Sequence, residues 1–269
     1  MIDEAADLVS RFRTETAARG LPSGEVQHWI RIARPAVYVA TGGEGPLVAR
    51  MGGDPMLPDG APEPYGQFVA AVDCAVLPLN ATDLPLPPDG HLLFFSDPDV
   101  ASQGVRPGRV VYVPAGTPTT RRPVETTSHA AYESRELRTL WHQLSWAEGP
   151  DGYHDEEGGY LEGNYRLLDE LAAAWSHVVG WRPSWTLQIG GHPNFANWDP
   201  VEVARDEAPL GDDSGQDGAE GAGDWVLLAT WQCGEDAEEL DHGLVHWVIR
   251  RQDLAALRFN RVYGYVDMI

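Results

Sequence analysis

Asp54 and His192 stand at the same point of a phrase that the chain writes twice. The copies are Arg50-Met-Gly-Gly-Asp54-Pro55-Met-Leu57 and Gln188-Ile-Gly-Gly-His192-Pro193-Asn-Phe195. A carboxylate and an imidazole brought together make an acid/base pair. Kept apart, each would bond its own Gly-Gly-x-Pro turn, as aspartate side chains readily do, and this second arrangement is the favoured one. Further along, Asp73-Cys74 matches Gln232-Cys233, each closing an apolar run. Asp89-Gly90 and His242-Gly243 then each open a strand, with Asp241 beside His242. If the copies pack face to face, Asp54, Asp73, His192, Gln232, Asp241 and His242 would line a groove between them, a site for a small molecule or for hydrolysis.

Other chemistry has weaker support. His242 and His246 are four apart, so on a strand they share a face. A zinc site needs two more ligands, and neither Cys-x-x-Cys nor His-Glu-x-x-His occurs. Asp212-Asp-Ser-Gly-Gln-Asp217-Gly has the composition of a calcium loop but not its order. There is no Gly-x-Ser-x-Gly elbow for a serine nucleophile and no Gly-x-Gly-x-x-Gly cradle between a strand and a helix. No metal, cofactor or catalytic residue is therefore assigned.

These residues need a scaffold, and the repeated phrase implies one of two related halves. The first copy covers about 50–114 and the second about 185–266. Residues 3–19 carry Leu8, Val9 and Phe12 at helical spacing ahead of Gly20, predicting an N-terminal helix. The loose alternation from Val26 to Thr41 predicts one or two strands. Strands are expected at 67–73, 91–96, 109–114, 185–189, 225–233, 243–249 and 261–266, with a short helix at 252–257. Tyr132 to Ser145 places Leu137, Leu140, Trp141 and Leu144 at helical spacing, and Tyr165 to Val179 does the same, so 132–180 is expected to be a helical connector. The fold class is α+β: one domain over 1–269, with two internally related, strand-rich halves.

Composition narrows the functions. All 19 basic residues are arginine. Without lysine there is no Schiff-base chemistry, no P-loop lysine and no kinase-type lysine. The net charge of −22 opposes nucleic acid and anionic membranes, whose binding depends on clustered cations, and points instead to a basic protein partner. The acid is concentrated. Residues 202–224 hold eight carboxylates against Arg205 alone, and 148–162 hold six against none, both in Gly-rich stretches expected to be solvated loops. No apolar run reaches the roughly 20 residues that span a bilayer, and the start lacks a signal-peptide pattern, so a cytoplasmic location is expected. Cys74 and Cys233 lie in apolar runs and read as buried thiols. Trp175, Trp225, Trp231 and Trp247 fall in predicted elements and read as core. Trp146, Trp181, Trp185 and Trp198 flank loops.

In order and spacing, the chain resembles the YwqG-like family, a bacterial family of unknown function. The resemblance is carried by Gly52-Gly-Asp-Pro-Met-Leu-Pro58, Phe68 to Asp73, Gly90-His-Leu-Leu-Phe-Phe95, Ile189-Gly-Gly-His-Pro193, and Asp241-His-Gly243 through Val248 and Phe259. It implies an α+β fold with related halves and no established activity. The chain departs from the family pattern at Ala71 and over Leu227 to Cys233. Taken together, the residues point to a non-catalytic, acidic protein-interaction module, immunity-like in one form.

Overall fold

The computed structural model describes residues 2–62, 66–78, 80–96, 108–123, 131–146, 165–207, 224–234, 237 and 243–268. Helices are α1 (Ile2–Ala18), α2 (Ser23–Ile32), α3 (Tyr165–Val179), α4 (Pro200–Glu207) and α5 (Arg251–Ala255). Strands are β1 (Arg34–Ala40), β2 (Leu47–Met51), β3 (Met56–Pro58), β4 (Gln67–Asp73), β5 (His91–Ser96), β6 (Gly108–Val113), β7 (Thr119–Arg121), β8 (Arg135–Ser145), β9 (Leu187–Gly190), β10 (Trp225–Gln232), β11 (Leu244–Arg250) and β12 (Tyr263–Asp267). The fold is α+β. Among the described residues, no helix is long and apolar enough to cross a membrane.

Ten strands form one antiparallel sheet in the order β12-β11-β10-β9-β1-β8-β2-β4-β5-β6, and β3 pairs with β7 in a separate ribbon. The sheet curls until its edge strands β6 and β12 touch. Curling lets both arms share one core, which gathers Met51, Val72, Phe94, Leu137, Leu228, Trp231 and Trp247. Across it, the Trp247 indole N–H donates to the Phe95 carbonyl at 3.1 Å, and its ring meets Phe94 edge to face at 5.0 Å. Outside the sheet, α1, α2 and α3 pack around Phe12, Trp29 and Trp175, with Trp146 stacked on Trp29 at 3.8 Å. The β3–β7 ribbon covers Phe68 and Phe95 through Leu57. On the other arm, α4 covers Trp225, Leu227 and Val248.

The two arms share a pairing register. Arg50 lies opposite Ala71 as Gln188 lies opposite Thr230, and Ala71 opposite Leu93 as Thr230 opposite His246. A register shift falls between Phe68 and Ala70 in one arm and between Leu227 and Ala229 in the other. The Cys74 N–H bonds the Gly90 carbonyl at 3.0 Å, and the Cys233 N–H bonds the Gly243 carbonyl at the same distance. Both Gly-Gly turns need the left-handed region: φ is 65° and 69° at Gly52 and Gly53, and 68° and 77° at Gly190 and Gly191.

Three sequence expectations are corrected. Residues 132–145 are not helical, because 135–145 form β8, hydrogen-bonded to β1 on one side and β2 on the other. A central strand partly buried on both faces need not alternate cleanly, so its leucines fall at helical spacing without forming a helix. Among the described residues of the expected connector, α3 is the helical part. Second, 23–32 form α2 rather than a strand. Val26 and Trp29 are three apart and buried on one helical face, with Glu25 in the first turn and Arg31 in the last, as the helix dipole favours. Third, the acidic stretch 202–224 opens as helix, with α4 running to Glu207. The rest of it up to 223, the calcium-like segment 212–218 and the whole of 148–162 lie outside the described residues.

Candidate functional site

On the outer face of the first arm, beside the β3–β7 ribbon, opens a cavity of about 720 Å³. Strand geometry explains its lining. Residues directly opposite one another on neighbouring strands share a face. Arg50–Ala71–Leu93 therefore form one row and Asp73–His91–Val113 a second, two residues along each strand. The register shift after Phe68 brings that ring onto the same face. Phe68, Ala71, Leu93 and Val113 make an apolar floor, while Arg50, Asp54, Asp73, Asp89, His91 and Arg121 supply the charge. Arg50 is partly neutralised by Glu136 at 3.1 Å. Along β4 the lining runs from Phe68 to Asp73, five strand steps or roughly 17 Å. Because the Gly52 N–H bonds the Val69 carbonyl, Asp54 sits towards the Phe68 end. Asp73, Asp89 and His91 form the other end.

One Asp73 carboxylate oxygen accepts the Ala75 N–H at 3.0 Å, and the other lies 4.0 Å from His91 Nε2, beyond hydrogen-bond length. Asp73 and His91 are both well exposed, at 37% and 52% of their side chains. Three buried groups titrate away from their ordinary values. Burial pushes the Cys74 thiol up to about 12, so it stays protonated at neutral pH. Burial likewise pushes His192 down to about 4 and His246 down to about 3.

The sequence candidates separate. Asp54 and Asp73 line the cavity, at its two ends. His192 does not: its ring Nε2–H donates to the Ile32 carbonyl at 2.7 Å, and its main-chain N–H donates to Ser145 Oγ at 2.8 Å. The Asp54–His192 pair cannot form. Between β2 and β9 stand β8 and β1, roughly 14 Å of sheet in all. Three antiparallel steps also leave the two Gly-Gly turns at opposite ends of that sheet. Gln232 ends β10 opposite Leu244, at the point where Asp73 ends β4. Asp241 and His242 lie outside the described residues. His246 does not face a metal cluster; its Nδ1 bonds Thr230 Oγ1 at 2.9 Å, and among the described residues no group of three or more His, Cys, Asp or Glu is placed to hold an ion.

The matching face of the second arm is closed. Gln188, Thr230, His246 and Asp267 there are at most 1% exposed. The chain covers them itself. The Gln188 amide donates to the Gly190 and His192 carbonyls, at 2.8 and 2.7 Å. Asp267 accepts the main-chain N–H groups of Ala196 and Asn197, at 2.5 and 3.3 Å, and the Asn197 amide at 2.7 Å. Reading the sequence alone missed this network, and it missed Arg50, Asp89, His91 and Arg121 as cavity residues. The local signal was Asp89-Gly90-His91 at the opening of β5, whose histidine is two residues from Leu93 and so on the same face.

The model of a family described as Domain of unknown function (DUF1963) matches residues 49–267. The chain belongs to this family. The DUF1963 match opens in β2 and closes in β12, so it takes in both arms and the whole cavity, leaving α1, α2 and β1 before it. No curated protein matches the chain.

Proposed function

We propose that the protein is a non-catalytic binding module and that the cavity of the first arm seats a basic partner. The observation that carries this reading is an apolar floor with Asp54 at one end and Asp73 and Asp89 at the other, three carboxylates against Arg121 and an Arg50 already paired to Glu136. A net charge of −22 would add long-range attraction for a basic partner and repel acidic ones. Perturbed titration tends to mark active sites. Here Cys74, His192 and His246 lie outside the cavity lining. A small-molecule or hydrolytic site between the halves has less support, since every lining residue falls between Arg50 and Ser134.

Two finer readings belong with it. The halves are copies of one unit, a view supported by the shared register, the shared bulge position and the two Gly-Gly turns. The chain is a YwqG-like bacterial protein of the cytoplasm, where an immunity-like role against a basic toxin would use the same surface. Titration calorimetry with a short arginine-rich peptide tests the binding role. Wild type should bind at low salt and lose about tenfold or more in affinity at about 0.3 M salt, where exposed charges are screened. The Asp73→Asn, Asp89→Asn double variant should lose a similar factor at low salt. Absence of binding, or equal binding by the variant, would refute the proposal.

A further inference from the structure

Charge is uneven along the cavity of the first, open arm. Met56 and Arg121 lie opposite one another on β3 and β7 and so share a face of the ribbon; that face lines the cavity, while Leu57 turns the other way onto Phe68. The Arg122 N–H donates to the Pro55 carbonyl at 3.1 Å, which keeps Arg121 at the Asp54 end, one arginine to one carboxylate. The far end has two carboxylates, Asp73 and Asp89, and among the described residues neither is paired with an arginine. Beside them are His91 and the Tyr112 hydroxyl, which donates to the Asp89 main-chain carbonyl at 3.3 Å. The apolar lining is uneven too. Ala71 and Leu93 form the floor next to the acidic end, and Met56 walls the cavity with 47% of its surface exposed. A bare methionine at a concave site is apolar area that a ligand can remove from water, and its unbranched side chain adapts to what it covers. The volume, about 720 Å³, is that of a site for a small molecule.

We infer that the cavity takes a small organic amine, its cationic nitrogen at the Asp73–Asp89 end and its apolar body over Ala71 and Leu93 against Met56. Ala71 and Asp73 are two strand steps apart, roughly 7 Å, which sets the separation of body and nitrogen. A second cation on the ligand gains little, because Arg121 already stands at the Asp54 end. A bare cation gains little either, since it leaves the floor and Met56 in water. The inference rests on the basic partner proposed for this cavity and gives that partner its chemical class.

Ligand-observed NMR titration of the full chain with 3-phenylpropylamine, whose ring and nitrogen stand about that far apart, provides the test at pH 8, where an alkyl amine keeps its proton. 3-Phenylpropanol carries the body without the charge, and methylamine the charge without the body. The amine should bind at least about tenfold tighter than either, as two exposed ion pairs in one comparison and a covered ring in the other would add. Asp73→Asn with Asp89→Asn should erase its advantage over the alcohol, and Asp54→Asn should keep it. Met56→Asn, a change at an exposed position, should weaken amine and alcohol alike by about threefold while circular dichroism stays unchanged. Equal binding of amine and alcohol, or a preference lost in Asp54→Asn and kept in the double variant, would overturn the inference. Full binding of the amine by Met56→Asn would refute the apolar wall. If the arginine-rich peptide binds and 3-phenylpropylamine does not, the small-amine class fails while the basic-partner role stands. If neither binds, both fail.

Discussion

Exchanging Thr230 and His246 for the residues that occupy their places in the first arm, Ala71 and Leu93, separates the structural role of the closed face from any other. His246 is fully buried, shares one hydrogen bond with Thr230, and has no partner for Nε2 among the described residues. In the folded protein burial depresses it to about 3, against 6.5 when exposed. As pH falls below 6.5 the unfolded chain therefore takes up a proton that the folded chain refuses, and stability declines with acidity. At pH 5 this costs about 2 kcal/mol for His246, and about as much for His192, held near 4. The carboxylates also titrate, but they are the same in wild type and variant, so the difference between the two isolates His246.

Urea denaturation followed by tryptophan fluorescence at pH 7.5 and pH 5 measures that difference. Thr230→Ala with His246→Leu should lose about 2 kcal/mol less than wild type between the two pH values. At pH 7.5 the double variant should lie within about 1 kcal/mol of wild type, since removing both partners leaves no orphan. His246→Leu alone should cost about 1–3 kcal/mol for the stranded Thr230 hydroxyl. A double variant with the acid sensitivity of wild type would show that His246 is not the buried neutral group described here.

Two further outcomes test the scaffold. Gly52 has φ +65°, and a Cβ there would lie 2.5 Å from the Tyr132 carbonyl oxygen and closer still to that of Glu133, whereas Gly60 has φ +75° with nothing near. Gly52→Ala should thus cost more than about 2 kcal/mol and Gly60→Ala about 1 kcal/mol by urea midpoint; equal losses would refute the close approach of β2 to 132–133. Cys74 and Cys233 are 6% and 3% exposed, and Cys74 is pushed up to about 12, so a disulfide-exchange reagent at pH 8 should find neither thiol in the native protein and both in urea. One fast native thiol would contradict that packing.

Strands rich in β-branched and aromatic residues, such as β4, β5, β10 and β11, could be read locally because they carry their own signal. β8 could not. Its identity depends on β1 and β2, which recruit it from more than 80 residues away along the chain. In α2 the misreading was of period: Val26, Trp29 and Ile30 are three and four apart, and taking them as loose alternation hid the helix. The site shows the same divide. Asp54 and Asp73 stand out because they belong to repeated phrases; the phrases leave a pairing of Asp54 with His192 open as the less favoured arrangement, and β1 and β8, lying between their strands, forbid it. Asp89 and His91 become neighbours of Asp73 only through the register of β4 on β5, which no local pattern encodes.

A scaffold with two alike arms can divide its labour, and the placement of titrating groups follows that division. On the closed arm a histidine and an aspartate are fully buried and each is hydrogen-bonded, an arrangement whose loss would leave orphaned polar groups in the interior. Substitution there threatens stability first. On the open arm Arg50, Asp73 and His91 are half exposed, so their charges cost little to keep and can change with little harm to the core. Such a face is free to be shaped by a ligand, because the apolar strip beneath it, Phe68 with Leu93 and Val113, is packed from the side by Leu57 of the ribbon. Sequence is therefore expected to vary at 50, 54, 73, 89, 91 and 121 while 188, 230, 246 and 267 stay constrained.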